Sequence, residues 1–226
     1  MNVAGATGMT IRVGDAVLEG DLVLPEDAKG IVVFAHGSGS SRRSPRNRQV
    51  AAALNEAGIG TLLVDLLTER EEEVDQLTGH LRFDIELLAR RLVGIIDWVQ
   101  ENPETASLPI GLFGASTGAA AALVAAAVRP TVVAAVVSRG GRPDLALGAL
   151  PLVRAPALLI VGEADAPVIE LNRQALDALD TEKRLEIVSG ATHLFEEPGA
   201  LAEVARLAAD WFASHLDGKD GEGDRR

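Results

Sequence analysis

Gly114-Ala115-Ser116-Thr117-Gly118 sets a serine between two glycines at the spacing that a sharp strand-to-helix turn requires. Glycines two positions to either side remove the Cβ atoms that would clash where strand and helix fold tightly around one residue. Such a turn holds the hydroxyl out as a nucleophile. A serine hydroxyl is weak at neutral pH, so the chemistry also needs a base to take its proton and an acid to orient that base. The chain has four histidines. His36 ends an apolar run ahead of the serine, His80 lies in a polar stretch, and His215 falls at the end of the last helical segment, where a cation suits the helix C-terminus. His193 follows the last strand-like run in Ser189-Gly190-Ala191-Thr192-His193, which makes it the best-placed base. Asp165 follows another strand-like run in Gly162-Glu163-Ala164-Asp165, and Asp144, after the strand before that, is its rival as the acid. Plainer roles compete with these. Ser116 and Asp165 are both good helix N-caps, and His193 would then be an ordinary loop histidine.

The elements that must position these residues read as an α/β domain, because short β-branched runs alternate with longer segments of helical period. Thr10 to Val13 and Ala16 to Leu24, joined by Gly14-Asp15, predict an opening antiparallel hairpin. Strands are then expected at Ile31 to Ala35, Thr61 to Val64, Ile110 to Phe113, Val132 to Val137, Ala157 to Val161 and Arg184 to Val188. Helices are expected at Val50 to Ala57, Phe83 to Gln100, Gly118 to Val128, near Leu145, Val168 to Leu179 and Leu201 to His215. Gly118 to Val128 is nearly all alanine and valine, the pattern of a helix buried on every side. Residues 1–216 read as one domain, and the polar, glycine-rich stretch from Asp217 to Arg226 as a disordered tail.

Composition narrows the function classes. The chain of 226 residues is 47% hydrophobic and 24% charged, and it has no apolar run long enough to span a bilayer. Met1 to Met9 holds no basic residue and no apolar core, so no secretory signal is expected, and the absence of cysteine suits the cytoplasm. It also excludes disulfides, thiolate metal sites and a cysteine nucleophile. A net charge of −12 argues against nucleic-acid binding. Histidines at metal-ligand spacing and a phosphate-binding G-x-x-x-x-G-K-[ST] loop are both missing, and neither a metal nor a cofactor is expected. Ile31 to Ala35 followed by Gly37-Ser38-Gly39-Ser40-Ser41-Arg42 imitates a dinucleotide-binding unit, but Arg42 stands where the third glycine belongs.

The order Ser116, Asp165, His193, on two leading strands and six parallel ones, resembles the α/β-hydrolase superfamily over residues 10 to 216. With the run His36-Gly37-Ser38-Gly39-Ser40-Ser41 and the compact size, the chain looks most like the dienelactone hydrolase-like group. The resemblance implies a mostly parallel sheet of about eight strands, helices on both faces and no large cap domain. It implies Ser116 as nucleophile, His193 as base and then acid, Asp165 as the orienting carboxylate, and an oxyanion hole from the backbone N–H groups of Thr117 and Ser38. Dienelactone hydrolases use a cysteine nucleophile; this chain has none, so that particular activity does not transfer. The expected activity is hydrolysis of a small carboxylic ester through an acyl-enzyme. A thioesterase or acyltransferase on the same three residues, and a non-catalytic binding protein on the same scaffold, are the alternatives.

Between Asp27 and Glu56 every charged residue is basic, with Arg42, Arg43, Arg46 and Arg48 crowded before the first helix. Cations at a helix N-terminus oppose its dipole and call for anions. The acidic run Glu69 to Asp75 is one source of them. The other is a substrate carboxylate or phosphate, with Arg43 and Arg139 as the arginines that would bind it. Thr68 to Gly79 is the one stretch that reads as a lid, and its shortness implies an open site.

Overall fold

The computed structural model describes residues 5–216, and the expected tail lies outside them. Eight strands form one sheet: β1 (Thr7–Val13), β2 (Ala16–Val23), β3 (Ile31–Ala35), β4 (Gly60–Val64), β5 (Ile110–Ala115), β6 (Val133–Arg139), β7 (Ala157–Gly162) and β8 (Lys183–Val188). Their order across the sheet is β1-β2-β4-β3-β5-β6-β7-β8. β1 and β2 pair antiparallel with each other, β2 antiparallel with β4, and the remaining six run parallel. All C-terminal ends of the parallel strands therefore open on one edge, where open α/β sheets bind their ligands.

The described residues form six helices, α1 (Pro45–Glu56), α2 (Glu69–Thr78), α3 (Ile85–Glu101), α4 (Thr117–Val128), α5 (Ala166–Ala178) and α6 (Ala200–Leu216), all but α2 packed on the sheet. The central strands are buried on both faces, which explains their continuous apolar runs. On β3, Ile31, Val33 and Ala35 join the core under α3 and α4, while Val32 and Phe34 join the core under α1 and α6. Phe34 meets Phe113 of β5 on the second face with ring centroids 4.8 Å apart. The buried set Leu88, Ala89, Leu92, Ile95, Ile96 and Val99 is the i, i+4, i+7 stripe expected of α3, whose start is fixed by Asp84 accepting from the Leu87 N–H at 2.9 Å. α4 is buried along nearly its whole length, and its alanines let it lie between α3 and the sheet.

Some boundaries differ from the sequence expectations. β1 begins at Thr7 because it pairs along its whole length with β2, starting at Thr7 opposite Leu22. α1 begins at Pro45, five residues early, because Ser44 accepts from the Asn47 N–H and proline suits the first helical position. The helix expected near Leu145 is instead two single 3₁₀ turns, Pro143–Ala146 and Leu150–Leu152. The stretch Thr68 to Gly79, read as a lid, contains the helix α2. Thr68 and Glu71 make a reciprocal capping box, and Gly79 ends α2 in the left-handed region. Buried Asp75 accepts from the Leu81 N–H at 2.6 Å and from Arg82 Nε at 2.5 Å, which fixes the end of α2 to the following turn. No described helix is long and apolar enough to cross a membrane.

Candidate active site

Ser116 stands between β5 and α4 with φ 50 and ψ −119, a left-handed backbone that a non-glycine residue adopts only when its surroundings enforce it. The enforcing bonds are visible. The Ser116 N–H donates to the Arg139 carbonyl at 3.2 Å, and the Ser116 carbonyl accepts from Ala119 at 3.1 Å and from Arg142 at 3.1 Å. The flanking glycines are needed for close approach. A Cβ on Gly114 would lie 2.3 Å from Ala119 Cα, and one on Gly118 would lie 2.2 Å from the Ala35 carbonyl oxygen and 2.5 Å from that of His36. Gly118→Ala is expected to cost about 4 kcal/mol, because the obstacle is the backbone at the end of β3. Thermal unfolding reads this as a midpoint about 10 °C lower; a variant melting with the wild type would show that this backbone gives way.

Asp165 and His193 sit on neighbouring turns that the backbone ties together. Beyond β7, the Ala164 N–H donates to Ala191 at 2.9 Å and the Glu163 N–H donates to Val188 at 3.0 Å. The Glu163 carboxylate accepts from the Gly190 N–H at 2.7 Å and the Ser189 hydroxyl at 2.9 Å, and these bonds, with the backbone one leading, hold its pKa below the usual carboxylate value. Across this junction His193 Nδ1 lies 2.6 Å from Asp165 Oδ2. Asp165 is largely shielded and His193 is 40% exposed at its side chain, so the imidazole is reachable from solvent. Nδ1 donates to the carboxylate, and Nε2 has no partner among the described residues. The imidazole lies over the β6 turn, with Nδ1 and Cε1 each 3.5 Å from the position a Cβ on Gly140 would take, one residue from the carbonyl that Ser116 bonds.

The plainer roles are decided by the same geometry. Ser116 and Asp165 both occupy helix N-cap positions, yet neither side chain makes a capping bond. Asp144 is taken by Arg142, whose Nε and Nη2 reach its two oxygens at 2.8 and 2.7 Å and raise the pKa of the Arg142 guanidinium through that bond. His36 is buried and shapes its turn: Nδ1 lies 3.1 Å from the Gly37 carbonyl, and Nε2 accepts from the Leu66 N–H at 3.1 Å. Gly37 lies against the elbow, since a Cβ there would come within 3.1 Å of Ser116 Cβ, and Ser38 follows in a turn closed by Ser40 N–H to Gly37 carbonyl at 3.1 Å. The N–H groups of Ser38 and Thr117 have no acceptor among the described residues.

The arginines divide differently from the sequence expectation. Arg42 binds Asp65 through both its backbone N–H and its Nη1, Arg48 reaches Asp21 at 3.0 Å, and Arg46 reaches Glu196 at 2.8 Å. The acidic run is not their partner: Glu71 pairs with Arg91 and Asp75 with Arg82. Asp21 on β2 and Asp65 directly after β4 stand on neighbouring strands of the sheet, which brings both within reach of Arg42. Arg43 is exposed, has no ion pair among the described residues and lines a cavity of about 730 Å³ with Ser40, Ser41, Glu69, Glu72 and Glu73. That cavity does not include Ser116 or His193 in its walls. Arg139 is 9% exposed at the end of β6. Phe195, which sequence reasoning missed, is buried with φ 56 and lays its ring 5.9 Å from the Arg139 guanidinium. Its only sequence signal was an aromatic two residues beyond the candidate base.

Serine, aspartate and histidine in that chain order, each on the turn after a parallel strand of this sheet, make the protein an α/β hydrolase by fold. A model of the dienelactone hydrolase family matches residues 18–217, and the chain belongs to that family. The chain is 62% identical to a dienelactone hydrolase from Anabaena variabilis of known structure, with a TM-score of 0.92 over 93% of this chain and 98% of that one. Est1E from Butyrivibrio proteoclasticus shares the fold at 15% identity, with a TM-score of 0.77 over 92% of this chain and 98% of its own. A Mycobacterium tuberculosis protein bearing the name "Putative phosphoribosyl transferase" is 57% identical over 210 residues, 93% of this chain. The chain spans 46% of that relative's length.

Proposed function

We propose that this chain is a serine esterase that cleaves small carboxylic esters through an acyl-enzyme. The observation that carries the reading is the 2.6 Å bond between His193 Nδ1 and Asp165 Oδ2, made on turns beside a strained Ser116. In this reading the Ser116 hydroxyl attacks the ester carbonyl carbon and its proton passes to His193 Nε2. The carbonyl oxygen becomes an oxyanion facing the Thr117 and Ser38 N–H groups, and each such donor is worth about 2.7 to 4 kcal/mol in the transition state. Collapse breaks the bond to the alcohol, which leaves with the proton from His193. Water then attacks the acyl-enzyme with His193 as base, releasing the acid and restoring Ser116. Asp165 keeps the imidazole in the tautomer whose Nε2 accepts a proton.

A solvent-reachable imidazole and the absence of a large inserted domain among the described residues suit small substrates rather than long acyl chains. The name borne by the tuberculosis relative does not define the activity proposed here, because this chain spans less than half of that protein. A fluorophosphonate probe followed by mass spectrometry tests the reading: the folded protein should carry one adduct on Ser116, and an unlabelled Ser116 would leave a binding protein on a hydrolase scaffold. With labelling established, product analysis in the presence of competing alcohols and with thioester substrates separates hydrolysis of an oxygen ester from acyl transfer and thioester cleavage.

A further inference from the structure

β8 is an edge of the sheet, bonded to β7 alone among the described residues. The Ala157 N–H donates to the Glu182 carbonyl at 2.9 Å and the Glu163 N–H to the Val188 carbonyl at 3.0 Å. Alternate residues of a strand bond the same neighbour, so Glu182, Arg184, Glu186 and Val188 turn their backbone groups toward β7. Lys183, Leu185 and Ile187 turn theirs outward, and such an open row of donors and acceptors is a template for another strand. Side chains alternate between the two faces. Leu185 packs on the core that includes Ala175 of α5, and Ile187, on the same face, is 39% exposed. Val188 joins the opposite core, which puts Arg184 and Glu186 on the α6 side, where they pair with each other along the strand. Arg206 of α6 also feels Glu186, but its close partners are Glu203 and Asp210 at 2.6 and 2.7 Å.

Charges on an edge strand ordinarily oppose pairing, and here they select one register. When two copies of β8 meet antiparallel about a two-fold axis, outward residues must oppose outward residues. An axis at residue 184 sets Arg184 against its own copy, and an axis at residue 186 does the same to Glu186; both place like charges directly opposite. An axis at Leu185 pairs all three outward residues and sets Arg184 opposite Glu186 of the partner subunit, twice over. These are the non-hydrogen-bonded positions, where facing side chains are closest. With the pair already made along each strand, the four charges alternate in sign around a square. On the other face Leu185 meets its copy, and the Lys183 stem covers Ile187 of the partner subunit. We propose that β8 is a self-complementary docking edge through which two copies of this chain join, antiparallel and centred on Leu185, making their two eight-stranded sheets continuous. The axis reverses strand direction, so the two Ser116 turns open on opposite edges of the joined sheet. The interface rests on the fold and is independent of the esterase reading.

Sedimentation of the full chain over a concentration series up to about 200 μM, at physiological ionic strength to screen the net charge of −12, tests the interface. The wild type should dimerise within that range. Arg184→Glu and Glu186→Arg each set like charges opposite one another twice, and each should raise the dissociation constant about 30-fold. An equimolar mixture of the two variants restores opposite charges across the axis while leaving like charges along each strand. It should recover most of the lost affinity as a heterodimer, an outcome that an effect within one chain cannot produce. A wild type that stays monomeric overturns the proposal, as do single variants that dimerise like the wild type or a mixture no tighter than its components. Amide hydrogen exchange on the wild type gives a readout that needs no variant to fold. Protection of the Leu185 and Ile187 N–H groups should rise with protein concentration, and free exchange of both in a dimer would place the interface elsewhere and end the proposal.

Discussion

Ser116→Ala is expected to lower turnover of an activated small ester by about a millionfold while leaving the protein folded. The size of the effect follows from the absence of a substitute. The chain has no cysteine, and the other hydroxyls around the elbow are poor stand-ins: Thr117 Oγ1 and Ser138 Oγ are buried and make no hydrogen bond, to the histidine or to any other group. Alanine keeps the Cβ that the strained backbone already accommodates, so thermal midpoint and circular dichroism should stay close to wild type. Residual hydrolysis above the water rate would come from the Ser38 and Thr117 N–H groups and from binding alone. Activity within tenfold of wild type would place the chemistry at another residue and end the acyl-enzyme reading.

Asp165→Asn should lower kcat by roughly ten-thousandfold, whereas Asp144→Asn should change it by less than about threefold. The contrast is sharper than either number because both residues follow adjacent parallel strands and both were credible acids. Asp165 receives the Nδ1 proton of His193; an asparagine amide there donates instead, turning the imidazole to the tautomer whose Nε2 carries a proton and cannot accept one. Asp144 holds Arg142 through two bonds two residues away in sequence. Its loss leaves Arg142 near solvent, at 38% side-chain exposure, with no consequence for the base. Steady-state kinetics on the two purified variants decides it, and a large loss for Asp144→Asn with a small one for Asp165→Asn would reverse the assignment.

Local signals made much of this molecule readable. The bounds of β3 are legible in the sequence because five β-branched or apolar residues end at a histidine and glycine. The start of α1 is hidden in the sequence because Ser44-Pro45, a strong start signal, lies among arginines that obscure the apolar period. The two 3₁₀ turns after β6 read as a helix in the sequence because Leu145 and its neighbours are good helix formers, while Pro143 and Pro151 restrict the run to single turns.

The chain by itself determined the alternation of strand and helix, the glycines that allow the elbow, and the order of serine, aspartate and histidine along the parallel sheet. These are near-neighbour properties, set by side-chain volume, β-branching and the absence of a Cβ at Gly114 and Gly118. Tertiary structure alone decided which acid meets His193, which acids meet Arg42, Arg46 and Arg48, and that Arg139 is left buried with none. Those outcomes depend on which turns the sheet brings to one edge, and a hydrogen bond or an ion pair forms between groups that are close in space however far apart they lie in sequence.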